Sequence, residues 1–239
     1  MAGAERSHWK EVDAEGRVLV REGGTLPMAG LRLEGQCPSI DWSAQWMLSH
    51  GDRGYDGLTN TQTPFQSQSK LQAQRLSAQV WLPVGSGWSV GSQLAYVGID
   101  RSIEGRGNVR GYPERFSYLQ AALGARYQAA LSAQTRWAAS LWLGGGPGGR
   151  VRVELPRFDP RTLPLGSSRM LTIAVELQGG AARNQPGWSW QSSLSYRYEQ
   201  TDAGDARILT RNALPAGVAL QPRFDQRHFG VTLGANYHF

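Results

Sequence analysis

The sequence predicts an all-β fold, a transmembrane antiparallel up-and-down β-barrel of about ten strands with short turns at one end and longer loops at the other. Three observations predict it: alternation of apolar with small or polar residues from end to end, tight and long connections taken in turn, and no apolar run of the roughly 18 residues a spanning helix requires.

The N-terminal pair carries the weakest pattern. Val12, Ala14, Val18 and Val20 alternate with Asp13, Glu15, Arg17 and Arg21, so residues 9–22 are expected as the first strand and Gly23-Gly24-Thr25 as the first long-end loop. Ala29, Leu31 and Leu33 then alternate with Gly30, Arg32 and Glu34. Trp42, Ala44, Trp46 and Leu48 oppose Asp41, Ser43, Gln45 and Met47. Leu76, Ala78, Val80 and Leu82 oppose Ser77, Gln79 and Trp81, and Trp88, Val90, Leu94 and Tyr96 oppose Ser89, Gly91, Gln93 and Ala95. Leu119 through Tyr127 oppose Gln120, Ala122, Gly124 and Arg126. Trp137, Ala139, Leu141 and Leu143 oppose Ala138, Ser140 and Gly144, with Trp142 as an inward exception. Leu171, Ile173, Val175 and Leu177 alternate with Thr172, Ala174, Glu176 and Gln178; Trp188, Trp190, Leu194, Tyr196 and Tyr198 with Ser189, Gln191, Ser193, Ser195, Arg197 and Glu199. The clearest case is last: Phe229, Val231, Leu233, Ala235, Tyr237 and Phe239 share one face, against His228, Gly230, Thr232, Gly234, Asn236 and His238.

A soluble sandwich and a membrane barrel share this alternation but invert its meaning. Water-facing strand positions ordinarily carry Lys, Glu and Thr. Here the non-apolar positions are Gly, Ala, Ser and Gln with isolated charges, which suits a crowded lumen and leaves the apolar face to lipid. Trp88, Trp137, Trp188, Trp190, Tyr237 and Phe239 stand at strand ends beside tight turns, where an interfacial aromatic girdle belongs. Tight turns fall at Pro38-Ser39, Gly85-Ser86-Gly87, Ser132-Ala133-Gln134 and Gln185-Pro186-Gly187; longer loops fall near 57–64, 104–113, 156–167 and 201–223. The strands exceed the roughly 9–11 residues that span a bilayer, so the barrel is expected to rise above it.

Composition narrows the function classes. A hydrophobic fraction of 40% excludes a helical membrane protein. The formal charge of +6 comes almost wholly from scattered arginines rather than a basic stripe, so nucleic acid is not the expected partner. Anionic lipopolysaccharide headgroups and internal salt bridges are the expected sinks for those charges. The lone Cys37 provides no disulfide framework, no metal-ligand set is present, and no cofactor is expected. Met1–Arg6 has no apolar export segment, so a leader that was removed is expected. Length is ample for one all-β domain over 1–239.

The ending Val231-Thr232-Leu233-Gly234-Ala235-Asn236-Tyr237-His238-Phe239 resembles the terminal strand of bacterial outer-membrane β-barrel proteins, closed by an aromatic residue. The resemblance is architectural and covers most of the chain. It implies residence in the outer membrane, contact with the lipid bilayer and lipopolysaccharide, recognition of the last strand by the assembly machinery, and outer loops free to meet a protein partner.

Inward parity collects a charge network for the lumen: Asp13, Glu15, Arg17, Arg21, Arg32, Glu34, Asp41, Arg126, Glu176, Arg197 and Glu199. Buried charges must pair or cost several kcal/mol, so these are expected either to staple the wall or to line a narrow conduit. Small inward residues, Gly91 and Gly124 among them, are expected to leave some open volume. Omptin-type proteases are also ten-stranded and place acidic pairs and a His at the outer rim. Here His50, Asp52, Asp100 and Asp225 fall on the outward face by parity. The one dyad that parity permits is Glu199 with His228, an acid that could orient a general base. Gly144-Gly145-Gly146-Pro147-Gly148-Gly149 lacks the ending of a phosphate loop and is expected to kink a long strand, with Arg150, Arg152 and Glu154 resuming inward parity. The leading expectation is a non-enzymatic outer-membrane barrel, acting as a narrow passive channel or a surface-exposed structural or adhesive protein. An omptin-like surface hydrolase and a soluble ligand-binding barrel are the alternatives.

Overall fold

The computed structural model describes residues 1–37, 39–58, 63–180 and 187–238. Phe239, Pro38, the middle of the 57–64 loop and most of the Gln185-Pro186-Gly187 turn lie outside the described residues. The strands are β1 (Ala2–Val12), β2 (Val18–Cys37), β3 (Ile40–Leu58), β4 (Pro64–Gly85), β5 (Trp88–Ile103), β6 (Tyr112–Ala130), β7 (Thr135–Gly146), β8 (Gly149–Val153), β9 (Arg161–Leu165), β10 (Ser168–Gly180), β11 (Gly187–Thr201), β12 (Arg207–Arg211), β13 (Leu214–Ala219) and β14 (Arg223–His238). β1 to β7, β10, β11 and β14 pair antiparallel in chain order, and β14 returns to β1, so ten strands close a barrel. β8 and β9 form a hairpin above β7 and β10, joined to the outer part of β6, while β12 and β13 form a separate surface hairpin.

Closure fixes a stagger. From Gly54 the ladder passes through Gly23, His8, Arg227, Tyr198, Leu171, Leu143, Leu123, Ser92 and Val80, and returns to β3 at Trp42, twelve residues from its start. With ordinary strand spacings, that stagger over ten strands tilts them by about 40°. β4, with 22 residues, is about twice as long as a crossing requires. The barrel therefore continues beyond the bilayer at the end carrying the long connections.

The apolar side of the strands changes over at that boundary. On β5, Trp88, Val90, Leu94 and Tyr96 are exposed outward, while Ser89, Gly91 and Gln93 point in. Farther along the same strand the outward positions become Asp100 and Ser102, and the inward ones Val97, Ile99 and Ile103, all buried. β4 repeats the exchange: Leu82, Val80 and Leu76 give way outward to Gln74, Gln72 and Lys70, and inward Gln79 and Ser77 give way to Leu71. Parity along the strand is kept; only the solvent facing the outer wall has changed from hydrocarbon to water. The lipid-facing belt is correspondingly bare in the protein alone, with Leu123 73% and Leu233 64% exposed.

Apolar side chains withdrawn from water fill the outer half of the barrel. Trp9 stacks on Phe224 at 4.5 Å between ring centroids, and Phe116 meets both edge-on at 5.2 and 5.7 Å. Leu26, Leu71, Val97, Ile99, Val151, Val153, Leu163 and Leu165 complete this plug.

Two expectations are corrected. The first hairpin lies elsewhere: β1 begins at Ala2 and turns at 13–17, and Gly23-Gly24-Thr25 lies inside β2. A Cβ on Gly24 would come within 2.5 Å of the Asp52 carbonyl oxygen and 3.0 Å of Arg53 Cγ, so the glycine there permits the close approach of β3 rather than a turn. The second concerns the glycine run. It does break the long strand, with Gly148 at φ +125°, but the break shifts the facing so that Val151 and Val153 enter the plug and Arg150, Arg152 and Glu154 are exposed. Water outside this part of the wall dictates that choice.

Because Phe224 is fully enclosed between two aromatic rings, Phe224→Ala should lower stability by about 3–5 kcal/mol. The check is denaturant unfolding in detergent. Phe229→Ala, on the lipid face of the same strand, should cost clearly less.

Candidate functional site in the lumen

From the tight-turn end upward, the lumen is crossed by three polar layers. In the first, Arg126 pairs with Asp41 at 2.7 Å and lies over the ring of Trp81, which packs on Trp142 at 4.3 Å. Arg32 pairs with Glu34 at 2.5 Å and reaches across to Glu176 at 3.3 Å. Gly91 and Gly124 lie against the indoles of Trp81 and Trp142, so these small residues accommodate aromatic rings rather than leave open volume.

The second layer centres on Glu199. Its carboxylate pairs with Arg197 at 2.9 Å and Arg75 at 3.3 Å, and accepts hydrogen bonds from the Tyr118 hydroxyl at 3.1 Å and the Gln120 amide at 3.2 Å. His228 is buried in the same layer, but its acid partner is Glu5, 3.4 Å from Nδ1. The Glu199–His228 dyad does not form; Gln226 and Tyr118 stand between the two. Between the first layer and the plug lies a cavity of about 210 Å³ lined by Arg75, Arg197, Gln93, Ser195 and Met47, among others.

The third layer lies above the plug, outside the bilayer. Arg101 holds Glu11 at 2.6 Å, Glu22 at 2.7 Å and Glu114 at 2.9 Å, and Arg53 holds Glu22 at 2.5 Å. The Trp9 indole N–H donates to Glu11 at 2.8 Å and the Ser69 hydroxyl to Glu22 at 2.7 Å. Three acids thus face two guanidiniums in a buried cage. Burial, opposed by Arg101 and reinforced by Glu11 and Glu22, pushes Glu114 up to about 7.

The sequence-selected charges divide. Arg32, Glu34, Asp41, Arg126, Glu176, Arg197 and Glu199 are in the lumen. Asp13, Glu15 and Arg17 are not: they pair with one another at the tip of the β1–β2 turn, and Arg21 faces outward. Their misplacement follows from the misplaced hairpin. Trp88, Trp137, Trp188, Trp190 and Tyr237 stand on the outward face at the tight-turn end, where Trp88 packs on Tyr127 and Trp188 on Tyr237. His50, Asp52, Asp56 and Asp100 are exposed on the outer wall, separated by that wall from His228. The cage residues Glu11, Glu22, Arg53, Arg101 and Glu114, with Glu5 and Arg75, were missed. Extending the parity of β2 to β6 past the belt finds Glu22, Arg53, Arg75, Arg101 and Glu114, whereas Glu5 and Glu11 lie on β1, whose pattern gives no parity to extend.

Over the outer mouth, β12 and β13 reach toward the loop after β8. Asp159 there accepts hydrogen bonds from the Thr210 hydroxyl at 2.7 Å and the Ala213 N–H at 3.0 Å. Asn212 and Ala213, at φ +51° and +63°, make the left-handed turn that this carboxylate caps.

This architecture defines the class: the chain has the fold of bacterial outer-membrane β-barrel proteins. No protein-family model and no curated protein matches the sequence. Among solved structures, it is similar to the outer membrane protease OmpT of Escherichia coli, with a TM-score of 0.60 at 11% identity over 100% of this chain and 96% of that one. Weaker similarities include the β-domain of the Bordetella autotransporter BrkA, with a TM-score of 0.40 at 12% identity over 100% and 98% of the two chains. The toluene transporter TodX of Pseudomonas putida gives a TM-score of 0.35 at 10% identity over 100% and 88%. At these identities the likeness bears on the fold alone.

Two outcomes test the outer layer. The folded state holds the Glu114 proton more tightly than an unfolded chain does, so this group's stabilisation is complete below pH about 4.5 and declines as pH rises through about 7. Unfolding midpoints at pH 5 and pH 8 should differ in that sense, and Glu114→Gln should flatten the difference. Asp159→Ala should speed tryptic cleavage at Arg207 and Arg211 while leaving the barrel's thermal midpoint nearly unchanged.

Proposed function

We propose that the protein resides in the bacterial outer membrane as a sealed, non-enzymatic barrel that acts at the cell surface as a structural or adhesive element. The observation that carries this reading is the plug: Trp9, Leu26, Phe116, Val151 and Phe224 are all between 0 and 2% exposed within the outer barrel, roofed by the ionic cage. A conduit needs a continuous polar path, and an apolar stopper of this kind interrupts it. The surface hairpin offers a contact face for a protein partner, since Ile208, Leu214, Val218 and Leu220 are exposed there. The belt meets the bilayer, lipopolysaccharide surrounds the outer wall, and β14 serves as the strand the assembly machinery engages. No cofactor enters this reading.

A gated narrow channel is the second reading, favoured by the cavity of about 210 Å³ beneath the plug. An omptin-like hydrolase has less support, because the outward acids and His50 do not converge with the lumenal His228.

Planar-bilayer recording decides between the first two. The wild type should give no discrete current steps, whereas Trp9→Ala combined with Phe224→Ala should give steps or leak. Stable unitary currents from the wild type would overturn the sealed reading, as would cleavage of a basic peptide abolished by His228→Ala.

A further inference from the structure

The outer wall just above the apolar belt is electrostatically lopsided. On the β4–β5–β6–β8 side three outward cations are matched, Lys70 with Glu104 at 3.2 Å, Arg115 with Asp100 at 2.5 Å and Arg152 with Glu154 at 3.4 Å, while Arg150 donates to the Ser117 hydroxyl instead. On the seam where β14 closes against β1, they are not. Arg6, Lys10, Arg21 and Arg227 are exposed there and form no ion pair with a described residue. The register packs them together: Lys10 lies opposite Arg21 on β2 and Asp225 on β14, His8 opposite Arg227, and Arg6 opposite Phe229. Asp225 is the acid inside the group, and Asp56 borders it beside Arg21.

These cations continue apolar columns without a gap. On β14 the outward residues run Leu233, Val231, Phe229 and then Arg227; on β11 they run Leu194, Tyr196 and Tyr198, with the Arg227 guanidinium 5.9 Å from the Tyr198 ring. Four cations share only two acids there, so the group keeps a net positive charge, and each exposed guanidinium presents a planar fork of donors suited to phosphate. A soluble polyanion would satisfy the cations but has no use for the greasy column below them. An acyl-chain lipid with a phosphorylated headgroup satisfies both.

We propose that the β14–β1–β2 seam is a dedicated site for a phosphorylated glycolipid of the outer leaflet, with phosphate on Arg6, Lys10, Arg21 and Arg227 and acyl chains along Phe229, Val231 and Leu233. This deepens the proposed function and rests on the barrel lying in the outer membrane.

The test uses the full chain refolded into neutral phosphatidylcholine vesicles. Folding there checks the barrel reading by itself, before any charged lipid is added. Binding of bisphosphorylated lipid A is then read as a rise in thermal midpoint with lipid concentration. Arg6→Gln/Lys10→Gln/Arg227→Gln should weaken the apparent affinity by about fivefold per cation, on the order of a hundredfold in all. Lys70→Gln/Arg115→Gln/Arg152→Gln, removing as many charges from the matched wall, should change it little. Equal losses from the two triple variants would reduce the effect to net charge and overturn the site. So would an equal response to dephosphorylated lipid A, and a response reproduced by pyrophosphate alone would show a soluble-phosphate site instead. If the seam variant fails to refold, the single Arg227→Gln variant should still show a fivefold loss.

Discussion

Everything in this molecule follows from closing a ladder that cannot slip. Ten antiparallel strands joined with a twelve-residue stagger leave no free edge in the ring, and the side-chain period of two then decides, for every residue, whether it faces in or out. A strand as long as β4 carries that decision through two solvents. Hydrocarbon surrounds the lower wall, so Leu76, Val80 and Leu82 face out; water surrounds the upper wall, so Leu71 faces in and Lys70 out. The change of apolar face is thus not a defect of the pattern. It marks where the bilayer ends.

That exchange also explains why the barrel is filled unevenly. Within the bilayer the interior receives what lipid rejects, which is charge and amide, and these groups can be accommodated only as cross-lumen pairs such as Arg126–Asp41 and Arg32–Glu176. Above it the interior receives what water rejects, and Trp9, Phe116 and Phe224 collapse on one another. The cage of Arg53, Arg101, Glu11, Glu22 and Glu114 sits over this plug because polar inward positions recur there between the apolar ones. Its excess acid raises the affinity of one carboxyl for a proton, and Glu114, which pairs with Arg101 but not with Arg53, is the group that yields.

Legibility in the sequence followed the same boundary. Inside the belt both faces have constant character, so the lower parts of β3, β4, β7, β10, β11 and β14 could be read residue by residue, including inward Trp81 on β4 and the inward exception Trp142 on β7. Above the belt neither face does. On β1 the outward residues are Arg6, His8 and Lys10 and the inward ones Glu5, Ser7, Trp9 and Glu11, which leaves no apolar alternation to detect. The strand was therefore placed several residues too late, and Asp13, Glu15, Arg17 and Arg21 were drawn into a lumen they do not enter. Val151 and Val153 were turned outward for a related reason: the rule that apolar faces lipid was applied above the lipid. The pairing of His228 with Glu5 was hidden because it depends on which residues of β1 meet β14, and that register is set only when the ring closes.

The outward charges complete the argument, because parity places them but does not dictate their company. Arg115 and Asp100 face each other across β5 and β6, so that part of the wall is neutral where it meets the lipid headgroups. At the seam, closure instead brings the cationic column of β1 against Arg227 of β14 and Arg21 of β2. Each of these residues is unremarkable in its own strand. Only the first and last strands of the chain, meeting across more than two hundred residues of sequence, turn scattered arginines into a concentrated positive surface. Such a surface would be tolerable at the edge of an anionic leaflet, and the same closure that fixes which side chains enter the lumen builds it.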